Sequence, residues 1–105
     1  MQWKSGSAIA AMVFIATVAN AAAAETIKIT IKGFKFSPAA VTAHVGDKIE
    51  WTNNDAMPHT STAKSGEWDL PVPAGKSATL LLKTKGAFDY FCKIHPSMTA
   101  KLTVE

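Results

Sequence analysis

The chain has 105 residues, with 11 basic residues against 8 acidic ones and a formal net charge of +3. All the basic residues are lysines spread along the chain. Arginine is the usual reader of bases, so this composition argues against a nucleic-acid-binding protein. Cys92 is the only cysteine, which excludes a disulfide within the chain.

The first 24 residues have the order of a secretory signal peptide. Lys4 precedes the apolar run "AIAAMVFIATVA", and small residues follow it. Cleavage is expected after Ala24, with Ala21 as the competing position. An uncleaved anchor is the less favoured alternative, because a transmembrane helix needs about 20 apolar residues. The sequence predicts a signal peptide at 1–24 and one small domain at 25–105, exported to the periplasm and without a membrane span after signal removal.

The rest of the chain alternates between apolar and polar side chains over short stretches. In "TIKITIKG", Ile27, Ile29 and Ile31 share one face, which predicts a half-buried strand. Comparable stretches recur about every ten residues as far as "AKLTV", separated by turn-forming segments such as "GDK", "NNDAMP" and "PVPAGK". No window after the signal favours a long amphipathic helix. The pattern predicts one all-β domain, an antiparallel sandwich or barrel of about seven to eight strands.

The segment "FCKIHPSM" places a thiol, an imidazole and a thioether close together in the sequence. Alternation in "AFDYFC" puts Cys92 on the same face as Tyr90, so its sulfur is expected to face the interior near one end of the sandwich. Pro96 cannot extend a central strand. We therefore expect His95 and Met98 on a short loop that can gather all three side chains around one point.

The two remaining histidines differ in their surroundings. His59 follows "AMP", where a loop re-enters a strand, and loop ends held by a sheet are common positions for functional residues. It is the natural fourth member of the cluster. His44 lies at an alternating position in "VTAHVGD" and is expected to be exposed or at an edge, without a role.

Two imidazoles, a thiolate and a thioether form a soft to borderline ligand set. A trigonal His₂Cys group with a weak axial methionine is the arrangement of blue-copper electron-transfer sites. Zinc is the closest competing metal, although it prefers tetrahedral sets and gains little from a thioether. Taken singly, Cys92 is more often a small buried hydrophobe and Met98 core filler. Their combination with two histidines and an export signal is much harder to obtain by accident.

From about Ile27 to Val104 the chain resembles the cupredoxins, the family of type I blue copper proteins. The resemblance rests on "VGDKIEWTNND", "MPH", "GAFDYFC" and "CKIHPSM", and the last loop is similar to that of amicyanin- and plastocyanin-like members. It implies a Greek-key β-sandwich that carries single electrons on one type I copper per chain. The implied ligands are His59, Cys92 and His95 in the equatorial plane and Met98 on the axis. Thr60 departs from the pattern, because many relatives have an asparagine there that helps to hold the ligand loop.

An electron carrier needs its metal close to the surface and a small docking face. His95 would be the exit point for the electron, and Lys93 would be placed to steer an acidic partner. An apolar rim is expected around them: Met57, Pro58, Ile94 and Pro96. The sequence predicts transient docking of redox partner proteins near His95, and a monomer.

Two other classes of function compete with the electron carrier. A copper-binding or delivery protein is the alternative, but such proteins display clustered methionines and histidines, and the predicted site already uses most of those available. An enzyme with a Cys–His nucleophile and base is disfavoured, because no aspartate or asparagine is placed in the sequence to orient the histidine. The sequence therefore predicts a protein that is not an enzyme and whose electron donor and acceptor it does not name.

Overall fold

The computed structural model describes residues 23–105, so the predicted signal peptide at 1–24 lies outside the described residues except for its last two. Within this part of the chain there are nine strands and no helix. The strands are β1 (Thr26–Lys32), β2 (Lys35–Ser37), β3 (Ala40–Ala43), β4 (Lys48–Asn53), β5 (His59–Ala63), β6 (Asp69–Val72), β7 (Ser77–Leu81), β8 (Gly86–Phe91) and β9 (Thr99–Val104). Residues 23–105 contain no helix that is long and apolar enough to cross a membrane.

The strands form two sheets packed as a sandwich. One sheet has the order β2-β1-β4-β7 and the other the order β3-β9-β8-β5-β6. The predicted all-β sandwich is confirmed, with nine strands in residues 23–105 where seven to eight were predicted. Its sheets are mixed, because β1 pairs with β4 in parallel and β3 pairs with β9 in parallel. Alternation has a period of two in both orientations, so the sequence pattern could not distinguish parallel from antiparallel neighbours.

The core lies between the two sheets, and the predicted alternation places its residues. Ile29 and Ile31 of β1 are buried, as their shared face requires. Trp51 of β4 and Tyr90 of β8 are both almost fully buried, and the Trp51 indole N–H donates to the Tyr90 hydroxyl at 3.3 Å. This bond joins the two sheets through the core and satisfies two polar atoms that burial would otherwise leave without water.

Three connections meet at one end of the sandwich. They are the β1–β2 turn, the β4–β5 loop and the β8–β9 loop. Phe34 in the first connection contacts the ring of His59, which follows the second, and the ring of His95 in the third. Because rigid strands bring these loops together, side chains from distant parts of the sequence converge at this end.

Candidate metal centre

Three of the four predicted ligands lie around one point. The ligand atoms of His59, Cys92 and His95 are all within 4.8 Å of one another. The Cys92 sulfur is 3.8 Å from Nδ1 of each histidine. Metal bonds of about 2.3 Å to sulfur and 2.0–2.1 Å to nitrogen that meet at 120° would separate these atoms by about 3.8 Å, against about 3.6 Å for a tetrahedral angle. The donor set and the two sulfur-to-nitrogen distances therefore suit one metal ion held between the three residues.

The strands determine which ligands are buried. Cys92 directly follows β8 and is fully buried, as its place beside Tyr90 predicts. His59 is the first residue of β5 and is 1% exposed. His95 is half-buried, because it lies on the loop rather than on a strand. One imidazole of the cluster thus reaches the protein surface while the thiol and the other imidazole are shielded from water.

Met98 closes the ligand loop. Its backbone N–H donates to the carbonyl of His95 at 2.9 Å, and its own carbonyl accepts from the N–H of Cys92 at 3.1 Å. The side chain is buried, with 3% exposure. These bonds keep the seven-residue segment from Cys92 to Met98 compact at its two ends. The assignment of Met98 as the axial ligand stays a prediction.

Thr60 holds the ligand loop in two ways. Its backbone N–H donates to the Cys92 sulfur at 3.3 Å. Its hydroxyl accepts the backbone N–H of Lys93 at 2.8 Å. The threonine that departs from the sequence pattern of many cupredoxins thus makes a hydrogen bond to the loop through its hydroxyl.

The Thr60 hydroxyl is part of a longer chain of hydrogen bonds. It lies 2.9 Å from the Thr62 hydroxyl, which donates to a carboxylate oxygen of Asp69 at 2.9 Å. Since Thr62 donates its proton to Asp69, Thr60 must be the donor to Thr62. The other Asp69 oxygen accepts from the Lys93 ammonium at 2.6 Å. This bond, followed by the one from Thr62, holds the pKa of Asp69 below its ordinary value. The chain of bonds begins and ends at Lys93, the residue that follows the thiol.

Asp55 is a residue of the site that the sequence did not reveal, and the expectation that no aspartate is placed to orient a histidine of the cluster is wrong. One of its carboxylate oxygens lies 2.8 Å from Nε2 of His59 and also accepts the N–H of Phe34 at 2.9 Å. The other accepts the N–H of Gly33 at 2.7 Å. The bond from Phe34 is the largest cause that holds the pKa of Asp55 below its ordinary value, with further contributions from Gly33 and His59. The sequence signals were the place of Asp55 at the end of "VGDKIEWTNND" and four residues before a predicted ligand.

Phe34 is the second residue that the sequence did not reveal. Its ring meets His59 edge-on at a centroid distance of 5.2 Å and His95 at 4.6 Å. Its φ of 61° lies in the left-handed region, where a bulky side chain costs about 1–2 kcal/mol. With Gly33 also at 61°, the two residues form the two-residue loop between β1 and β2. Such loops favour glycine, asparagine or aspartate, so a pattern search does not expect phenylalanine here.

Exposed apolar side chains stand next to the predicted ligands in the sequence. The four predicted rim residues, Met57, Pro58, Ile94 and Pro96, are all exposed. Phe34 adds a further aromatic side chain with 44% exposure. His44 is exposed, as predicted, and its ring lies in the β3–β4 turn near Asp47 and Glu105.

Comparison with known proteins agrees with this architecture. The family described as "Cupredoxin-like domain" matches residues 6–104. The chain belongs to the cupredoxin-like family. Amicyanin-alpha of Methylorubrum extorquens is 32% identical over an alignment of 90 residues that covers 80% of this chain and 76% of that protein. Plastocyanin of Tetradesmus obliquus is 34% identical over an alignment of 85 residues that covers 67% of this chain and 58% of that protein.

A solved structure shows the same fold. The crystal structure of amicyanin from Paracoccus versutus matches with a TM-score of 0.67 and 28% identity, over 76% of this chain and 81% of that one. The cupredoxin resemblance inferred from the ligand-loop motifs is thereby confirmed.

Proposed function

We propose that this protein is a type I copper protein that carries single electrons between redox partners. The observation that carries the proposal is the convergence of one buried thiol and two imidazoles, whose ligand atoms all lie within 4.8 Å of one another. The residues that would hold the ion are His59, Cys92 and His95 in the plane and Met98 on the axis. A thiolate and a thioether favour Cu(I) and imidazoles suit Cu(II), so copper bound here would gain or lose one electron with little change in its ligands.

The protein contributes a rigid and shielded site. His59 and Cys92 are held at strand ends and have almost no contact with water. The N–H of Thr60 occupies one side of the sulfur, which limits the positions that the thiol can adopt. These restraints favour a ligand set whose geometry is fixed before the metal arrives. They also weigh against copper delivery, because a receiving protein would have to reach ligands that lie inside the sandwich.

His95 is the proposed route for the electron. It is the one histidine of the cluster at the surface, and the exposed Met57 and Ile94 lie among the rim residues around it. An apolar patch of this kind fits brief docking, because it can associate without a large set of oriented polar contacts. The donor and acceptor would be proteins that bind at this patch, with the chain acting as a monomer and not as an enzyme.

The export signal completes the proposal. Residues 1–24 are proposed to be removed as a signal peptide, leaving residues 25–105 as the functional domain in the periplasm. The oxidising compartment suits this site, because coordination would occupy the single thiol and limit its oxidation.

The visible absorption spectrum tests the metal site directly. Purified 25–105 protein is titrated with Cu(II) beside a Cys92→Ala variant. We expect an intense blue thiolate-to-copper band at one equivalent of copper in the natural protein, bleached by ascorbate, and no such band in the variant. A weak colour that is the same in both proteins would remove Cys92 from the site. Substitution of the exposed His44 by alanine serves as the matched control and should leave the band unchanged.

A further inference from the structure

Asp55 connects the two sheets at the metal centre. It lies in the loop between β4 and β5, and its carboxylate accepts two backbone N–H groups from the β1–β2 turn. The same carboxylate contacts His59, the first residue of β5. The His59 side chain is fully buried and that of Asp55 is 10% exposed. A charge-assisted bond shielded to this degree is stronger than one on the surface.

The carboxylate determines which nitrogen of His59 carries the proton. An ionised carboxylate only accepts hydrogen bonds, so Nε2 of His59 must be the donor. In a neutral imidazole the proton on Nε2 leaves Nδ1 with a free lone pair. Nδ1 is the atom that lies 3.8 Å from the Cys92 sulfur. Asp55 therefore sets the tautomer that a metal in this cluster requires.

The same carboxylate holds a strained turn. Phe34 has a positive φ that a phenylalanine rarely adopts. Strain of this kind persists only where neighbouring groups impose it, and it is commonly found at functional sites. The hydrogen bonds from the N–H groups of Gly33 and Phe34 to Asp55 hold Phe34 in this conformation. They keep the phenyl ring against the rings of His59 and His95.

We propose that Asp55 is a positioning residue of the metal centre, which orients His59 and fixes the β1–β2 turn so that Phe34 covers both histidines. The inference deepens the proposed function and rests on it. One negative charge bonded to a ligand would also stabilise the more highly charged state of a bound metal, so Asp55 would lower the reduction potential of the copper-loaded protein. Asparagine is the informative replacement, because its single oxygen cannot accept all three hydrogen bonds.

The first measurement needs no copper. Long-range ¹H–¹⁵N NMR of the 25–105 protein before copper is added reports which nitrogen of His59 is protonated. We expect the proton on Nε2, and we expect the amide protons of Gly33 and Phe34 to exchange slowly with solvent. In Asp55→Asn the two amides should exchange at least tenfold faster. A proton found on Nδ1 of His59 in the unaltered protein would overturn the proposal without recourse to any variant.

The second measurement is the reduction potential of the copper-loaded protein. Asp55→Asn should shift the ratio of reduced to oxidised protein at a fixed potential at least tenfold toward the reduced form, which is 59 mV for one electron. Asp89→Asn is the matched control, because it removes the same charge from a side chain that is 61% exposed and paired with Lys101. Equal shifts in the two variants would show that only net charge matters and would refute the positioning role.

A third variant separates the role of the Phe34 ring from that of the hydrogen bonds to Asp55. Phe34→Gly keeps the backbone N–H and suits the positive φ, but removes the aromatic cover. We expect the His59 tautomer to be unchanged and the His95 ring protons to become at least twofold more sensitive to a soluble paramagnetic relaxation agent. An unchanged sensitivity would refute the covering role of Phe34. If copper produces no blue band, the proposed function fails, whereas the NMR result on metal-free protein still decides whether Asp55 holds His59.

Discussion

Lys93 donates its backbone N–H to the hydroxyl of Thr60 across 2.8 Å, and so ties the ligand loop to a strand that lies 33 positions earlier in the sequence. Cys92 directly precedes Lys93, and its sulfur accepts the N–H of Thr60. One threonine therefore fixes both the sulfur and the start of the loop. Thr60, the residue after His59, thus tethers the ligand loop through a hydroxyl, where the resemblance to cupredoxins implies an amide.

Thr60→Val should loosen this tether while keeping the shape of the side chain. We expect the free energy of unfolding to fall by about 1–3 kcal/mol, because the Thr60 hydroxyl makes two hydrogen bonds of about 0.5–1.5 kcal/mol each. We also expect copper to dissociate faster, because the loop that carries Cys92 is held less firmly. Urea unfolding and the rate of copper loss to a chelator measure the two effects. Thr60→Ser retains the hydroxyl and should resemble the natural protein in both.

Met98→Leu tests the axial assignment. Leucine has nearly the same volume, so the buried position should tolerate it at a cost below about 1.5 kcal/mol. The thioether is an electron donor, and its loss should raise the reduction potential while the blue band remains. An unchanged potential would show that Met98 only fills the core. The potential is measured by spectroelectrochemical titration.

Tyr90 should make the protein sensitive to alkaline pH. Burial raises the pKa of Tyr90 to about 12, whereas an unfolded chain ionises near about 10. Below pH 10 both states keep the proton. Above it the unfolded state alone releases the proton, so stability falls from about pH 10 to pH 12, by at most about 1.4 kcal/mol per pH unit.

Tyr90→Phe separates this effect from the titration of lysines. The variant should lose about 1 kcal/mol at neutral pH, because the Trp51 indole N–H loses its acceptor. Its stability should then decline less steeply than that of the natural protein between pH 10 and pH 11. Urea unfolding at each pH gives both slopes, and parallel slopes would contradict the prediction.

Asp47 should make the protein sensitive to acid. Its carboxylate accepts the N–H of Glu25 at 2.9 Å and that of His44 at 3.0 Å. The bond from Glu25 is the largest cause that holds the pKa of Asp47 below its ordinary value. The stabilisation is therefore present above the unfolded pKa of about 3.9 and is lost as pH falls through the lower folded pKa. Asp47→Asn should be less stable at pH 7 and should lose less stability between pH 4 and pH 2, as thermal unfolding would show.

Cleavage after Ala24 would change the contact between Glu25 and Asp47. The N–H of Glu25 would become a charged α-amino group facing the Asp47 carboxylate, and a hydrogen bond would become an ion pair. A chain that starts at Glu25 should therefore unfold at a higher temperature than one that starts at position 22. Mass spectrometry of the exported protein identifies the cleavage position, and equal unfolding temperatures would argue against an ion pair here.

The apolar rim should control encounters between protein molecules. Ile94 is 50% exposed, and Ile94→Glu places a charge in the patch around His95. We expect the rate constant of electron exchange between oxidised and reduced copies to fall about tenfold, because like charges would meet in the encounter. Val45→Glu adds the same charge at a side chain in the β3–β4 turn and should change the rate less than twofold. NMR line broadening in mixtures of oxidised and reduced protein measures this rate constant.

The sequence was sufficient for the fold class and for the cluster of candidate ligands. Alternation placed Ile29, Ile31 and Tyr90 in the core, and the spacing near Cys92 indicated a loop that gathers donors. The two parallel strand pairs were not predicted, because alternation carries no information on strand direction. The short β2 and β3 strands, of three and four residues, raise the number of strands in the described part to nine.

The surroundings of the cluster could not be read from the sequence. Asp55 acts through contacts with a turn more than 20 residues earlier, and such pairings appear only once the sheets are assembled. Phe34 adopts a positive φ that phenylalanine disfavours, so the residue preferences of two-residue loops do not predict it at this position. The hydroxyl of Thr60 replaces an amide with a different reach, and only its distance to Lys93 shows that the loop is still tethered.

The pairing of β9 has a consequence for the order of folding. This strand pairs with β8 on one side and, in parallel, with β3 on the other, where Ala40 lies opposite Lys101. The pairing of β9 with β3 joins distant segments and forms slowly, because a long loop must close before any contact offsets the lost chain entropy. The ligand loop lies between β8 and β9, so its ends are fixed only when β9 docks. Coordination requires that β9 has paired with β8 and that β5, which carries His59, has joined β8, so a chain in which these strands are still apart would present its thiol without a partner.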